Sequence, residues 1–344
     1  LQNGIAAGLN SEQQPPKLGT VSLYSMMSDE FSTSLDQATA SVTTIWVISD
    51  GKPGHLNQSL GLSEALQRQL SDCQIMIIPA LSKGSALAAL LKKRWPQADT
   101  DNDTPSLIIG AGHRTHLSLL AAGRAFNAAT VVLMKPSLPL SWFDCCLIPQ
   151  HDQPAHRNNV ISTRGALNRM QPGEADQKQG MMLIGGPSKH FGWDNGKMVA
   201  QVMNICRQSS ANTHWTLTTS RRTPSDFLPL LATQSLDNLT LVPVEETGPG
   251  WLAEKLPQAS QCWVSSDSVS MVYEALSAGC ATGLLEVPQL SENRIAQGVQ
   301  QLADENVLTP YTQWLPGEQL TPPHSPFNEA DRCAFALRQQ LSVL

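Results

Sequence analysis

The stretch Ile45-Trp46-Val47-Ile48-Ser49-Asp50-Gly51-Lys52-Pro53-Gly54-His55 constrains the fold of this chain more than any other. Five largely apolar residues run into two glycines that bracket a lysine, and a helical pattern begins at once with Leu56-Asn57-Gln58-Ser59-Leu60. A buried strand ending in a tight loop at a helix N-terminus is the place where α/β proteins collect anions. The arrangement occurs again: the apolar run 181–184 leads into Gly185-Gly186-Pro187-Ser188-Lys189-His190. Two half-molecules are implied, each with a glycine loop that carries a lysine and a histidine.

From Thr43 onward, apolar runs alternate with helix-periodic segments. The first half predicts strands over 43–49, 74–79, 106–109, 130–134, 145–148 and 159–162, and helices over 57–70, 85–94 and 115–126. The second predicts strands over 181–184, 214–218, 239–242, 261–264 and 282–285, and helices over 195–207, 226–233, 251–256, 271–277 and 294–304. In the 57–70 helix, Leu56, Leu60, Ser63 and Gln67 form one stripe, with Leu62, Leu66 and Leu70 near it. Alternation at this spacing implies an α/β protein with doubly wound parallel sheets. At 344 residues the chain has room for two such cores. The polar run 171–180, with its proline and glycines, is the expected linker between domains 42–170 and 181–323. Residues 324–344 close the chain as a helix. Residues 1–41, rich in Gln, Ser, Thr, Asn and Pro, are expected to be disordered and lack the pattern of a signal peptide, and Met26 or Met27 offers a natural start.

Charge and cysteine usage narrow the function classes. A net charge of −6 argues against binding nucleic acid through the whole surface, so local basic groups carry more weight. Lys52, Lys135, Lys189, Arg221 and Arg222 all follow strand-like runs. The seven cysteines are scattered without a C-x-x-C spacing, which fits buried free thiols in a reducing cytosol better than disulfides or a zinc site. No apolar run is long enough to span a bilayer. A cytoplasmic protein is expected, with peripheral contact at the inner face of the membrane left open. Lys92-Lys93-Arg94-Trp95 would suit anionic lipid, although such charges also complement a helix C-terminus. Asp101-Asn102-Asp103 matches a D-x-D metal signature, but it sits in a polar loop before a strand and is read as solvated.

The polar chemistry gathers where predicted strands end. Gly51, Lys52 and Gly54 have the ingredients of an anion cradle, and a plain strand-to-helix turn fits them equally. The spacing is neither GxxxxGK[ST] nor G-x-G-x-x-G. At His55 the positive end of the helix dipole opposes protonation, which leaves an imidazole suited to act as general base. Asp50 either orients it or caps the turn. Gly112-His113-Arg114 ends another strand, as do Lys135 and His151-Asp152, and in an open α/β sheet such ends form the ligand crevice. In the second half the candidates for phosphate are Gly185, Gly186, Ser188, Lys189, Arg221, and the helix start bearing Ser266, Ser268 and Ser270. Glu274 follows one turn in. An N-cap cluster and a solvated glutamate are the alternatives there.

The run 266–279 (Ser-Asp-Ser-Val-Ser-Met-Val-Tyr-Glu-Ala-Leu-Ser-Ala-Gly) is similar to the nucleotide-sugar signature of GT-B glycosyltransferases. There the acidic residue commonly holds the donor ribose and the hydroxyl-bearing turn the diphosphate. Pro53-Gly54-His55 resembles the Gly-Gly-His of the transferase that adds GlcNAc in peptidoglycan synthesis. More closely, residues 49–58, Arg164-Gly165-Ala166-Leu167-Asn168 and 185–190 resemble the family named after the plant mitochondrial-fission factor "elongated mitochondria". The resemblance runs from about residue 43 to the C-terminal helix. Bacterial members are described as glycosyltransferases, and the plant member as a recruiter of fission machinery.

This resemblance implies two Rossmann-like doubly wound domains facing a cleft, of GT-B type. It implies transfer of a sugar from a nucleotide-diphosphate sugar to a hydroxyl of a glycan or glycolipid, cell-envelope glycans included. No cofactor, obligatory metal, nucleic acid or assigned protein partner is implied. The donor would lie on Gly185, Gly186, Ser188, Lys189, Arg221, Ser266, Ser268, Ser270 and Glu274. The acceptor would lie near Gly51, Lys52, Gly54, Asn57, Gly112, His113 and Arg114, with His55 as base and Asp50 beside it. A nucleotide-sugar 2-epimerase on the same fold and a non-catalytic adaptor are the two alternatives.

Overall fold

The first strand, β1 (Thr43–Ser49), is buried along its centre and pairs in parallel on both edges, as its apolar run requires. The computed structural model describes residues 43–96, 104–210, 212–291 and 294–341. The expected disordered segment 1–41 and the Asp101–Asp103 loop lie outside those residues.

In the N-terminal lobe β1 is followed by α1 (Pro53–Gln69), β2 (Cys73–Pro79), α2 (Lys83–Lys92), β3 (Leu107–Ala111), α3 (His116–Phe126), β4 (Ala129–Leu133), β5 (Cys145–Pro149) and β6 (Val160–Thr163). The six strands are all parallel in the order β2-β1-β3-β4-β5-β6. The C-terminal lobe contains β7 (Asp176–Leu183), α4 (Asn195–Gln208), β8 (His214–Thr218), α5 (Phe227–Ala232) and β9 (Leu239–Val242). It continues with α6 (Trp251–Lys255), β10 (Ala259–Ser265), α7 (Val269–Ser277), β11 (Ala281–Leu285), α8 (Arg294–Asp304) and β12 (Thr309–Pro310). Its order is β12-β11-β10-β7-β8-β9, again all parallel. This is the GT-B architecture expected from the resemblance: two Rossmann-like, doubly wound lobes with a cleft between them.

Each sheet is sandwiched between two apolar layers. In the first lobe Ile45, Leu107 and Ile109 pack under α1, while Trp46, Ile48 and Ile108 pack under α2 and α3. The last helix, α9 (Glu329–Gln340), crosses back to the first lobe, where Cys333, Ala334 and Leu337 meet Leu62, Ala65 and Leu66. Burying a leucine such as Leu337 contributes about 1.5–3 kcal/mol toward holding the crossing helix, to which Ala330, Cys333 and Ala334 add. Six of the seven cysteines are buried, and burial pushes the thiols of Cys145, Cys206 and Cys333 up to about 12.

Three expectations need correction. The helix expected to begin at 57 begins at Pro53, whose fixed φ and missing N–H suit the first helical position. Its buried residues are Ser59, Gly61, Leu62, Ser63, Ala65 and Leu66, so of the expected stripe only Ser63 is inside and Gln67 is exposed. The reason is α9, which arrives from the far end of the chain. Finally, the second half of the expected linker 171–180 is strand, because β7 starts at Asp176 with four exposed residues before its buried half.

Candidate functional site

In the first sheet the strand order reverses between β1 and β3, so the loops after both open into one crevice. Asp50 follows β1 with its side chain fully buried. His55, in the first turn of α1, points Nδ1 at both carboxylate oxygens, at 3.2 and 3.1 Å. Desolvation, the largest influence on Asp50, pushes its carboxyl up. The Lys52 N–H and the His55 imidazole outweigh it and hold the group below the ordinary carboxylate value. The imidazole rests on Gly112, at the end of β3. Gly112 has φ +85°, and a Cβ on it would overlap Cε1 and Nδ1 of His55. Asp50 therefore orients the histidine, and only glycine at 112 leaves room for it.

The expected anion cradle at this loop is filled from within. The Gly51 N–H donates to Ser49 Oγ at 3.2 Å, and the Lys52 N–H to Asp50 Oδ1 at 3.2 Å. Lys52, His113 and Arg114 on these two loops, and Gly54 at the start of α1, are exposed.

The second sheet reverses between β7 and β10. Here the Gly185 N–H donates to Ser265 Oγ at 2.7 Å, and the Gly186 N–H to Asp267 Oδ2 at 2.9 Å. Arg222 closes the arrangement, with Nη2 at 2.8 Å from Asp267 Oδ2 and Nη1 donating to the Gly186 carbonyl at 2.5 Å. A Cβ on Gly185 would overlap the Asp267 carboxylate, whose side chain is fully buried and whose Oδ1 has no hydrogen-bond partner among the described residues. The amides expected to receive phosphate thus face a carboxylate of the chain itself. Ser188 folds back on its own turn, its Oγ accepting from the His190 and Phe191 N–H groups, while Lys189 is exposed. Ser266 Oγ accepts from the Val287 N–H. Ser268 is the N-cap residue of α7, and Ser270 is exposed in its first turn.

Between the lobes lies a cavity of about 570 Å³. Asn57 reaches it from α1, Thr219, Ser220 and Arg221 from the loop after β8, Trp251 from α6, and Met271 and Glu274 from α7. Asn57 Nδ2 donates to Glu274 Oε1 across the cleft at 3.4 Å, a long hydrogen bond. Burial pushes the Glu274 carboxyl up to about 7, with the Asn57 amide pulling weakly the other way. Of the residues singled out in the sequence, Asn57, Arg221 and Glu274 meet here. His55 sits two residues before Asn57 on α1 and does not itself line the cavity. Arg221 has no ion-pair partner among the described residues; its neighbour Arg222 is committed to Asp267.

The run Arg164–Asn168, quoted in the sequence only for its resemblance, joins the lobes. The Arg164 N–H donates to Glu329 Oε2 at 2.8 Å, and its guanidinium pairs with Glu305 and lies 5.2 Å over the Phe327 ring. Asn168 Nδ2 donates to the Tyr273 carbonyl at 3.2 Å and to Ser277 Oγ at 3.1 Å on α7. Arg169 pairs with Glu64 of α1 at 2.6 Å. The sequence reading assigned no role to Asp267, although it stands between two serines that were singled out. No nearby residue betrays its partner, because Gly186 and Arg222 are far away along the chain.

The profile of the mitochondrial fission ELM1 family matches residues 53–341, from the start of α1 through α9. The chain belongs to that family. A curated relative of Rickettsia prowazekii, an uncharacterized protein, is 23% identical and is aligned over 87% of this chain and 99% of its own length. Among solved structures, a Listeria monocytogenes protein assigned to the UDP-N-acetylglucosamine 2-epimerases superposes with a TM-score of 0.54 at 9% identity. It covers 87% of this chain and 96% of its own. The glycotransferase of kitacinnamycin reaches 0.47 at 14% identity, over 87% of this ELM1-family chain and 99% of that one. The first likeness speaks to the fold alone, and the second is too loose to argue from. Among the described residues no group of three or more His, Cys, Asp or Glu side chains is placed to hold a metal ion, and no helix is long and apolar enough to cross a membrane.

Proposed function

We propose that this ELM1-family protein is a glycosyltransferase that moves a sugar from a nucleotide-diphosphate donor to an acceptor hydroxyl. The observation that carries the reading is the Asp50–His55 pair at the first switch point. A buried carboxylate accepts at Nδ1 and leaves Nε2 for a substrate, the arrangement a general base needs. In the reaction the acceptor oxygen bonds to the anomeric carbon as the bond from that carbon to the diphosphate oxygen breaks. His55 takes the hydroxyl proton, and the nucleoside diphosphate leaves with the electron pair. Arg221 and the N-terminus of α7, with Ser268 and Ser270, supply positive charge and hydrogen bonds to the departing diphosphate without a metal. Glu274 receives the ribose hydroxyls, in place of the long contact to Asn57. Gly185 and Gly186 shape the loop through Asp267, and so act on the donor indirectly. Closure of the lobes around the Arg164–Asn168 brace would bring His55 to the donor and exclude water. We place this chemistry in the cytoplasm.

Thermal-shift measurements against UDP-, GDP- and ADP-sugars, with CMP-sugars as the monophosphate comparison, test the donor class, with a rise in melting temperature expected for one of the diphosphate sugars. Silence across the panel refutes the reading and favours an adaptor. Once a donor is found, His55→Ala should abolish transfer with donor affinity kept; unchanged transfer removes the base assignment. Donor isomerised with no acceptor present identifies a 2-epimerase instead.

A further inference from the structure

The outer face of α2, with the corner beside it, carries chemistry that neither switch point uses. Leu87 and Leu91, one turn apart on α2, are 50% and 73% exposed, and Trp142, in the turn before β5, is 54% exposed. Between α2 and Trp142 runs a groove of about 870 Å³ whose walls include Leu90, Lys93, Leu120 and Arg124. Large apolar side chains gathered at one place on a surface mark something that covers them. Trp95, by contrast, is buried, packing edge-on against Trp46 with ring centroids 5.8 Å apart. It anchors the end of α2, so the segment Lys92–Trp95 presents its charges outward on a fixed support.

The charge around this face is predominantly positive. Lys83, Lys92, Lys93, Arg94 and Arg124 are exposed. Residues 73–96 and 104–143 contain no aspartate or glutamate, in a chain whose net charge is −6. Asp144, at the edge of the groove, is turned onto Thr130, accepting from its N–H and its hydroxyl at 2.7 Å each. Asp99, Asp101 and Asp103 belong to the segment outside the described residues.

We infer that this face of the N-terminal lobe docks on an anionic lipid bilayer. Leu87, Leu91 and Trp142 enter the interface between headgroups and acyl chains, while the lysines and arginines lay their stems along the apolar patch and place their charges among lipid phosphates. A second copy of the chain is a poorer occupant, since a two-fold contact would set one basic cluster against another. Nucleic acid would use the charges but leave the exposed leucines in water.

Co-sedimentation of the full chain with vesicles tests this. Vesicles of phosphatidylcholine alone should bind little, and those with about 30% phosphatidylglycerol should bind the protein. Raising NaCl from about 0.1 to about 0.5 M should weaken that binding without ending it, because the apolar contact is unscreened. The double substitution Leu87→Glu and Leu91→Glu should lower it about tenfold, as should Lys92→Glu with Lys93→Glu. Leu315→Glu, at a leucine 60% exposed on the other lobe, should leave it unchanged. Circular dichroism and melting temperature check that each variant is folded. In Trp142→Phe the blue shift of tryptophan emission on anionic vesicles should disappear. Absence of binding to anionic vesicles overturns the inference, and so does equal binding by the folded leucine variant. A concentration-dependent dimer that ignores vesicles and is lost in that variant overturns it in favour of self-association. No nucleotide or sugar enters the experiment, so its failure leaves the transferase reading standing.

Discussion

Glu274 should make the protein less stable than it need be, by an amount that depends on pH. Its carboxyl is raised from 4.5 to about 7 by burial, with the 3.4 Å contact from Asn57 the one hydrogen bond among the described residues to offset the lost water. An acid whose folded-state value is raised binds its proton more tightly in the folded protein. As pH rises from 4.5 to 7, the unfolded chain ionises first, and stability falls until both states are ionised. At about 1.4 kcal/mol per pH unit, the full loss is about 3 kcal/mol above pH 7; residual solvent access in the cleft reduces it toward 2. Glu274→Gln keeps the shape and an oxygen for Asn57 while removing the charge. The variant should match the parent near pH 4, gain steadily through pH 4.5–7, and stay about 2–3 kcal/mol more stable at pH 8. For a chain of this size that is a rise of about 3–5 °C in melting temperature. Urea denaturation at pH 5 and pH 8, with calorimetry alongside, measures it. A variant no more stable than the parent at pH 8, or equally stabilised at both pH values, refutes the argument. A stabilising substitution that also weakens nucleotide binding would identify the strain in Glu274 as the counterpart of function.

Two further substitutions probe the switch points. Gly112→Ala must displace the His55 ring or shift the loop from φ +85°, and should cost about 1–3 kcal/mol of stability. Transfer should fall about 100-fold while donor affinity holds, as read from steady-state kinetics and donor titration. Asp267→Ala leaves the buried Gly186 N–H without its acceptor and the partly exposed Arg222 guanidinium without its carboxylate, and should destabilise the protein by about 1–3 kcal/mol in urea denaturation.

The strands and the loops that end them were legible because each is a local event, an apolar run followed at once by glycine. The two lobes, their parallel sheets and the pairing of Asp50 with His55 five residues on follow from such local patterns. What was not legible is set by residues distant in sequence. Leu62, Ser63 and Leu66 are the buried face of α1 because α9 covers them, and nothing within 57–70 announces a helix that begins at 329. Polar Asp176-Gln177-Lys178-Gln179 reads as linker because strand residues at the exposed end of a sheet need no apolar side chains. Whether the second lobe's glycine loop is open or filled depends on Ser265, Asp267 and Arg222, which lie 36 to 81 residues from the amides and carbonyls they occupy.

The filled loops give the two lobes parallel devices with unequal chemistry. At each switch point an aspartate from a strand-ending loop accepts from a backbone N–H of a glycine loop, Asp50 from Lys52 and Asp267 from Gly186. Each carboxylate then holds one cationic or ionisable side chain, His55 in the first lobe and Arg222 in the second. Guanidinium keeps its proton at any pH a protein survives, so the Asp267–Arg222 pair can fix a loop or steer an anion but cannot exchange a proton with a substrate. An imidazole can donate from one ring nitrogen and accept at the other, and Nε2 of His55 is the nitrogen that Asp50 leaves unoccupied. Of these two pairs the Asp50–His55 pair alone can exchange a proton with a substrate, which is the part the proposed transfer reaction gives it. In that proposed reaction Arg221, the start of α7 and Glu274 of the second lobe are left for binding.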